Sequence, residues 1–248
     1  MGQLIDTKNS YITYDNSFIE TEWWILKEYY KAGLIYEGFK ILPYCPRCGT
    51  GLASHEVAQG YKNVSVNSVY IPFKLKDEDS YFLVWTTTPW TLPGNMAITI
   101  SDKYDYALVN IKKDGKEENY IVMDDMVEDL MKTFGIEEYK KVKTITNKEL
   151  EGVEYKHPFI DRISKVILGS DDTILVEKGS GTGLVHTAPA YGNEDYLAGK
   201  KHGIEMYVAV DEKGMQTEKA GIFAGMHYKK SNDAIIEHLN EQGNLIKL

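Results

Sequence analysis

Short apolar runs separated by polar or glycine-containing turns fill residues 63–188, and they constrain the fold more than any other feature of the sequence. Runs of apolar, β-branched or aromatic residues bounded by turn residues are typical of strands, and strands at this spacing favour a barrel or a sandwich. The turns include KDEDS and KKDGKEE. The predicted strands lie in NVSVNSVYIPFKL, YFLVWT, NMAITI, YALVNI, NYIVM and KVILG.

Helices are predicted on both sides of these strands and once among them. The clearest covers residues 17–33, where Ser17 and Glu20 match a capping box and Gly33 matches a C-terminal cap. Further helices are predicted over 124–134, from Asn193, and over 231–242. The segment LIYEGFKILPYCPRCGT is predicted to form a strand that runs into a cysteine knuckle. Together these patterns indicate an α+β fold that is mainly β.

The charge balance limits the class of partner. The chain carries 28 basic and 37 acidic residues, a net charge of −9, which argues against a nonspecific nucleic-acid binder that needs a basic face. A protein that grips only the end of a nucleic acid is still allowed. No apolar run approaches the ~20 residues of a membrane span. The polar start of the chain lacks a signal-peptide pattern, so we expect a cytoplasmic protein without a membrane partner.

The segment WTTTPWTLPGN, residues 85–95, does not fit a regular strand along its length. Its threonine run abolishes the apolar and polar alternation of a half-buried strand, and Pro89 and Pro93 prevent the strand from continuing. A second unusual segment, GSGTGLVHTAPAYGNEDY at residues 179–196, contains a predicted strand with His186 and a helix start with Asp195. Glycines at 179, 181 and 183 permit tight turns and close approach of a ligand.

Each part of these segments also has an ordinary structural interpretation. The glycines would form a hairpin loop, His186 a packed histidine, Asp195 a helix N-terminal charge, and the threonines an edge strand. A phosphate loop is excluded because no GK[ST] follows the glycines. Taken together, the residues indicate a pocket with hydroxyls, one imidazole and one carboxylate, which suits a polar ligand that carries an amine.

The two segments, in this order, resemble the editing insertion of isoleucyl-tRNA synthetases. Thr88-Pro89-Trp90 favours the isoleucine enzyme, since the related valine and leucine enzymes carry a TTRP-type segment there. The upstream stretch IETEWWILKEYYKAGLIYEGFKILPYCPRCGTGLASHEVAQGY is similar to the one by which the family leaves its catalytic domain. The resemblance implies a β-barrel editing domain with peripheral helices. It divides the chain into a connecting segment (1–62), the barrel (63–228), and a C-terminal helix with a return connection (229–248).

The resemblance also implies the reaction. A hydrophobic pocket gains only ~1–3 kcal/mol from one methylene, and isoleucine against valine is the standard example of this limit. A second site must therefore hydrolyse the valyl ester on isoleucine tRNA. The signatures HxGH and KMSKS are absent from the sequence, so we expect no productive ATP binding and no adenylate formation by this chain. The expected partners are the valine-charged 3′ end of tRNA(Ile) and the rest of a longer synthetase, with the chain itself monomeric.

Roles of individual residues follow from the resemblance. Asp195 would hold the substrate's α-ammonium, and His186 would exclude isoleucine by its size, with a general base as the alternative role. The attacking group would be water. Pocket walls would come from Thr86, Thr87 and Thr88, with Trp90 and Thr91 beside them, and Gly181, Thr182 and Gly183 would let the terminal adenosine approach the backbone.

The two cysteines, Cys45 and Cys48, are spaced CPRC, which is half of a four-ligand zinc site or, less often, a redox pair. The family's zinc knuckle uses a second cysteine pair, so this pair is expected to be an incomplete half-site, with His55 as a conceivable third ligand. No cofactor is expected for editing, and zinc and ATP would belong to the parent enzyme. Three alternatives stay open: a noncatalytic module that docks the tRNA end, a freestanding deacylase, and the editing domain of the valine enzyme.

Overall fold

The computed structural model describes residues 6, 8–113, 115–179 and 181–247. The chain forms two compact units, Met1–Lys40 and Ile41–Leu248. The regular element of the first unit is helix α1, Asn16–Lys31, in which no residue is buried. This confirms the predicted helix. The capping box is wrong: the N-cap residue is Asp15, whose carbonyl accepts from the amides of Phe18 and Ile19 at 3.0 Å each, so Ser17 already lies inside the first turn.

The second unit contains strands and short helices in alternation. Its strands are β1 Tyr44–Cys45, β2 Thr50–Gly51, β3 Val69–Lys74, β4 Tyr81–Thr86, β5 Ala97–Ile100, β6 Tyr106–Lys113, β7 Lys116–Met123, β8 Tyr139–Ile145, β9 Glu154–Lys156, β10 Ile163–Leu168 and β11 Leu184–Thr187. Its helices are α2 Ser54–Gln59, α3 Val127–Phe134, α4 Asn147–Leu150, α5 Asn193–Lys201 and α6 Tyr228–Glu241, with 3₁₀ turns at Pro89–Gly94, Asp124–Met126 and Glu218–Phe223.

Six of these strands form a ring. Strand β3 pairs antiparallel with β4, β4 parallel with β11, β11 antiparallel with β5, β5 parallel with β10, and β10 antiparallel with β9. A bridge between Leu75 and Tyr155 connects the end of β3 to β9 and closes the ring. Strands β7, β6 and β8 extend the sheet outward from β4. The expected α+β fold with a mainly β barrel is confirmed.

The barrel interior is apolar where the ring closes. Phe73 and Tyr155 are fully buried and meet edge to face with ring centroids 5.4 Å apart, and Phe82 lies 6.2 Å from the same tyrosine ring. Edge-to-face pairs of this kind stabilise a core beyond the area that they bury. The aromatic cluster therefore fixes β9 against β3 and holds the barrel shut.

Two predicted strands are shorter than expected, and two strands were not predicted. Residues 34–43 form no strand, and the stretch before Val69 is irregular, because in the described part of the chain no neighbouring strand pairs with either. Strand β8 was missed because its sequence is rich in lysine and almost entirely exposed at the sheet edge. Strand β9 is only three residues long.

Near the C-terminus, helix α6 begins three residues before its predicted start. The Nδ1 atom of His227 caps the helix by accepting from the amide of Lys229 at 3.3 Å. Beyond the helix, the amide of Ile246 donates to the carbonyl of Tyr70 at 2.9 Å.

The predicted boundaries at residues 62 and 228 stay predictions. Among the helices that the structure describes, none is long and apolar enough to cross a membrane.

Candidate functional site

The candidate site lies at the carboxyl ends of β4 and β11. These strands run parallel, with Val185 opposite Trp85, so the segments that follow them leave the sheet at the same edge. The segment after β4 carries the threonines, and the segment after β11 leads into α5 with Asp195. Strand pairing therefore brings together two segments about a hundred positions apart in the sequence.

Two prolines shape the segment after β4. Strand β4 ends at Thr86, and Pro89 occupies the first position of a 3₁₀ turn, where a missing amide hydrogen costs no hydrogen bond. Pro93 lies inside the same turn. The expectation that the prolines end the strand is confirmed, and the turn folds the threonines back beside β11.

The threonine hydroxyls form a chain of contacts. The Oγ1 atom of Thr88 lies 3.3 Å from Oγ1 of Thr86 and 3.3 Å from Oγ1 of Thr91. The Thr91 hydroxyl donates to the Thr88 carbonyl at 2.8 Å. Thr86 and Thr91 are buried, whereas Thr87 and Thr88 are exposed. Of the three threonines joined by these contacts, Thr88 is therefore the one whose hydroxyl is accessible to a ligand or a water molecule.

His186 is held at both ring nitrogens. The amide nitrogen of Asn95 donates to the carbonyl of Ala97 at 2.9 Å, which fixes the orientation of the amide, and it also lies 2.9 Å from Nδ1 of His186. Nδ1 therefore accepts, and the proton of the neutral ring is on Nε2, which lies 2.9 Å from Oγ1 of Thr91. Burial lowers the pKa of His186 from 6.5 to about 4. The imidazole is thus neutral and occupied on both sides.

Asp195 lies in the first turn of α5, half-buried, where the helix dipole favours a carboxylate. Its Oδ1 accepts from the amide of Ala188 at 2.8 Å. Burial raises its pKa above the usual 3.8 by disfavouring the charged form, while the Ala188 amide opposes that shift. Gly192 makes this geometry possible, because a Cβ there would lie 2.1 Å from Oδ2 of Asp195.

The glycine loop, residues 181–183, is held in place by contacts with the rest of the protein. Gly181 has φ +66° and packs against the Trp85 ring, where an added Cβ would lie 3.0 Å from Cε3. Thr182 is buried, and its carbonyl accepts from the amide of Met123 at 2.9 Å. The Gly183 carbonyl accepts from the hydroxyl of Tyr106 at 2.7 Å. The Thr182 side chain therefore faces protein, and the backbone of this loop forms the wall.

All ten residues that the sequence analysis selected line one cavity of about 480 Å³. Other lining residues were not predicted from the sequence, among them Trp85, Tyr191 and the segment 175–178. Tyr191 packs edge to face on Trp90 with ring centroids 5.4 Å apart. Trp85 and Tyr191 lie inside the two quoted segments but were not selected, whereas the segment 175–178 lies outside both and carries no motif of its own.

A second group of polar residues was also missed: those that hold the site from outside the cavity. The Tyr155 hydroxyl donates to Oδ1 of Asn95 at 2.7 Å, so a buried chain of hydrogen bonds links Tyr155, Asn95, His186 and Thr91. Asn95 was visible as the last residue of WTTTPWTLPGN, but nothing in that position identifies its partner. Tyr155 lies 60 positions away.

The cysteine pair lies in the hairpin of β1 and β2. The backbone amide of Cys48 donates a hydrogen bond to Sγ of Cys45 at 3.3 Å. The side-chain hydrogen bond from Cys48 lowers the pKa of Cys45, and the same interaction raises the pKa of Cys48. Across the described residues, no three His, Cys, Asp or Glu side chains come together as metal ligands, His55 included. Two thiols supply half of a tetrahedral zinc site, so these residues do not by themselves fit the metal.

Comparisons with known proteins agree on the family. The model of class I tRNA synthetases (I, L, M and V) matches residues 1–163. The isoleucine–tRNA ligase of Clostridium kluyveri is 43% identical over 252 residues, which cover 100% of this chain and 23% of that relative. Those of Picrophilus torridus and Methanocaldococcus jannaschii are 42% and 38% identical, with 100% and 99% of this chain covered. The chain thus spans about a quarter of the length of these relatives.

A solved structure shows the same fold. The chain in "The crystal structure of GlLeuRS-CP1" superposes with a TM-score of 0.57 and 14% identity, and the match covers 73% of this chain and 98% of that one. It supports the α+β architecture only. The family model, and the match of this whole chain to a quarter of the length of isoleucine–tRNA ligases, confirm the resemblance seen in the sequence. The chain belongs to the class I tRNA synthetase family of the I, L, M and V enzymes.

Proposed function

We propose that this chain is the editing region of an isoleucyl-tRNA synthetase and that it hydrolyses valine from mischarged tRNA(Ile). The observation that carries this proposal is the convergence of accessible threonine hydroxyls, a neutral imidazole and a half-buried carboxylate on one cavity of about 480 Å³. A cavity of this size is within the range of small-ligand sites, roughly 300–1,000 Å³. It would receive the aminoacylated 3′ end of the tRNA.

Asp195 orients the ester. Its Oδ1 is occupied by the Ala188 amide, and the carboxylate's second oxygen would accept a charge-assisted hydrogen bond from the α-ammonium of the amino acid. Binding of the cation would also favour the ionised carboxylate, opposing the effect of burial on its pKa. This contact places the ester carbonyl at a fixed distance from the threonine wall.

Water is the attacking group. The accessible Thr88 hydroxyl, supported by the hydroxyls of Thr86 and Thr91, would orient the water toward the ester carbonyl carbon. As the water oxygen bonds to the carbonyl carbon, the C–O bond between that carbon and the ribose oxygen breaks, and the ribose oxygen takes one proton of the attacking water, leaving free valine and a ribose hydroxyl. His186 is a poor general base because Nδ1 already accepts from Asn95 and Nε2 carries the proton. Its rigid ring better suits a wall that limits side-chain size.

The test is deacylation of Val-tRNA(Ile) and Ile-tRNA(Ile) by the parent chain and two variants. We expect faster hydrolysis of the valyl ester by the parent. Asp195→Asn should lower kcat/KM by about 10–100-fold, the size of one lost contact to a charged group. Glu194→Gln, on the exposed neighbouring position of α5, should leave it unchanged. His186→Ala should increase hydrolysis of the isoleucyl ester.

Two outcomes would reject this assignment. Tight binding of charged tRNA without hydrolysis of either ester would indicate a noncatalytic docking module. Equal rates for Asp195→Asn and the parent would remove the carboxylate from the reaction. Because the chain is acidic overall, binding of a stable valyl-adenosine analogue should be measured as well, so that weak tRNA affinity is separated from a defective pocket.

A further inference from the structure

The 3₁₀ turn Pro89–Gly94 lacks one of the amide donors that such a turn normally has. In such a turn the carbonyl of residue i accepts from the amide of residue i+3, and Pro93 has no amide hydrogen to give to the Trp90 carbonyl. The side chain of Gln216 takes this place: its Nε2 donates to the Trp90 carbonyl at 2.9 Å. Gln216 is buried and comes from a segment 126 positions away.

His157 supplies the second external donor. Its Nδ1 accepts from the amides of Phe159 and Ile160 at 3.3 and 3.1 Å, so the proton of the neutral ring is on Nε2. Nε2 donates to the carbonyl of Leu92 at 2.9 Å. Burial lowers the pKa of His157 to about 3, which keeps the ring neutral and preserves this arrangement near neutral pH.

Arg162 supplies the third external hydrogen-bond donor to the turn Pro89–Gly94. Its Nη1 donates to the carbonyl of Pro93 at 3.2 Å and to the carbonyl of Asn95 at 2.6 Å. The guanidinium lies over the Tyr207 ring at 3.9 Å from its centroid. A planar guanidinium stacked in this way has little freedom, so it holds both carbonyls in one geometry.

This turn contacts His186 at two points, through Thr91 within the turn and through Asn95 directly after it. Resting on the function proposed above, we propose that Gln216, His157 and Arg162 are positioning residues that fix the threonine wall and the His186 ring relative to Asp195. None of the three lines the cavity. They act through the backbone of the turn, and together they set both the rate of hydrolysis and the limit on side-chain size.

Arg162 offers the sharpest test. A misplacement of about 1 Å at a reacting centre can cost about 100-fold, so Arg162→Met should lower kcat for the valyl ester by about 10–100-fold. KM should change less than about twofold, since the cavity lining is intact, and the preference for the valyl over the isoleucyl ester should fall. Arg162→Lys should be intermediate, because a flexible ammonium can still donate to the carbonyls but does not reproduce the planar guanidinium stacked on the Tyr207 ring.

Lys219→Met is the matched control. The Lys219 ammonium lies over the same Tyr207 ring, 4.9 Å from its centroid, and among the described residues it donates to no carbonyl of the turn Pro89–Gly94. We expect parent-like kcat, KM and ester preference. If Arg162→Met keeps a kcat within twofold of the parent, or if Lys219→Met loses as much, the positioning role is wrong.

A readout independent of catalysis completes the design. The amides of Thr91 and Asn95 donate within the turn, at 2.9 and 2.8 Å. Their hydrogen exchange should be faster in Arg162→Met and unchanged in Lys219→Met, at a temperature well below the unfolding midpoint of all variants. Unchanged exchange in Arg162→Met overturns the proposal. If the parent cleaves neither ester, the proposed function fails, while the exchange rates still decide whether these side chains hold the turn.

Discussion

At the scale of single residues, the hydrogen-bond partners of His186 decide which chemistry its ring can do. A histidine on a strand edge with a free nitrogen could act as a base near neutral pH. Here Asn95 donates to Nδ1 and Thr91 lies beside Nε2, and burial keeps the ring neutral. The ring therefore forms a fixed, uncharged part of the cavity wall.

We expect the two buried histidines, His186 and His157, to lower the free energy of unfolding of the protein in acid. The pKa values of His186 and His157 fall from 6.5 to about 4 and about 3 in the folded chain, so between pH 6.5 and 4 the unfolded chain binds more protons. Their contribution to stability is full above pH 6.5 and falls by up to ~1.4 kcal/mol per pH unit for each ring. Urea unfolding at pH 7, 6 and 5 should show this slope.

His157→Gln is the comparison for that measurement, because its amide can still donate to the Leu92 carbonyl but does not titrate. The free energy of unfolding of the His157→Gln variant should fall less steeply with decreasing pH than that of the parent. Asp195 contributes with the opposite sign, since its raised pKa means that the folded chain holds the proton more tightly. This term is common to both proteins and cancels in the difference. Equal slopes would contradict the assigned neutral state of His157.

At the scale of elements, the start of α5 depends on a missing side chain. Gly192 precedes the helix with φ −143°, a conformation that alanine also adopts. The obstacle to a larger residue is contact alone, because its Cβ would fall 2.1 Å from Oδ2 of Asp195. The glycine therefore belongs to the carboxylate site even though it has no functional group.

Gly192→Ala should displace the Asp195 carboxylate and lower Val-tRNA(Ile) hydrolysis by about 10-fold or more, close to the effect of Asp195→Asn. Thermal unfolding should change little, since the carboxylate can rotate toward solvent. Gly60→Ala is the control, because an added Cβ there meets only ordinary contacts, at 3.6 Å or more. Parent-like hydrolysis by Gly192→Ala would show that Asp195 need not occupy this position.

The elements also show where sequence patterns succeed. Apolar runs such as YFLVWT identify strands because both faces of β4 are largely buried, and prolines at 89 and 93 correctly predict the end of that strand. Apolar residues alone are not sufficient. Leu34, Tyr36 and Phe39 are exposed and form no strand, since a strand needs a partner that the local sequence does not specify.

At the scale of the whole molecule, the core belongs to the unit Ile41–Leu248. The buried apolar residues of the described chain run from Val69 to Leu239, and α1 contributes none. The ring of six strands closes within that unit. The unit therefore contains the interactions that an independently folding domain requires.

A chain reduced to residues 41–248 should unfold cooperatively, with a midpoint within a few degrees of the parent, and should keep the Val-tRNA(Ile) activity of the parent. Thermal unfolding and the deacylation assay test this. Removal of residues 228–248 is the opposing control: it deletes α6, which buries Ile235 and Leu239, so cooperative unfolding should be lost. If removal of residues 1–40 also abolishes the transition, the second unit does not fold alone.

The sequence by itself determined five of the six strands of the barrel, the turn forced by two prolines, and the family, because these depend on local patterns and on residues quoted in order. It also selected ten residues that the tertiary structure brings to one cavity. Only the tertiary structure determined how those residues are held. His186 and Thr91 are 95 positions apart, Gln216 and Trp90 are 126 apart, and Arg162 reaches backbone carbonyls that have no sequence signature. A hydrogen bond depends on distance and angle in space, and for groups so far apart in the chain the packing of the barrel sets both.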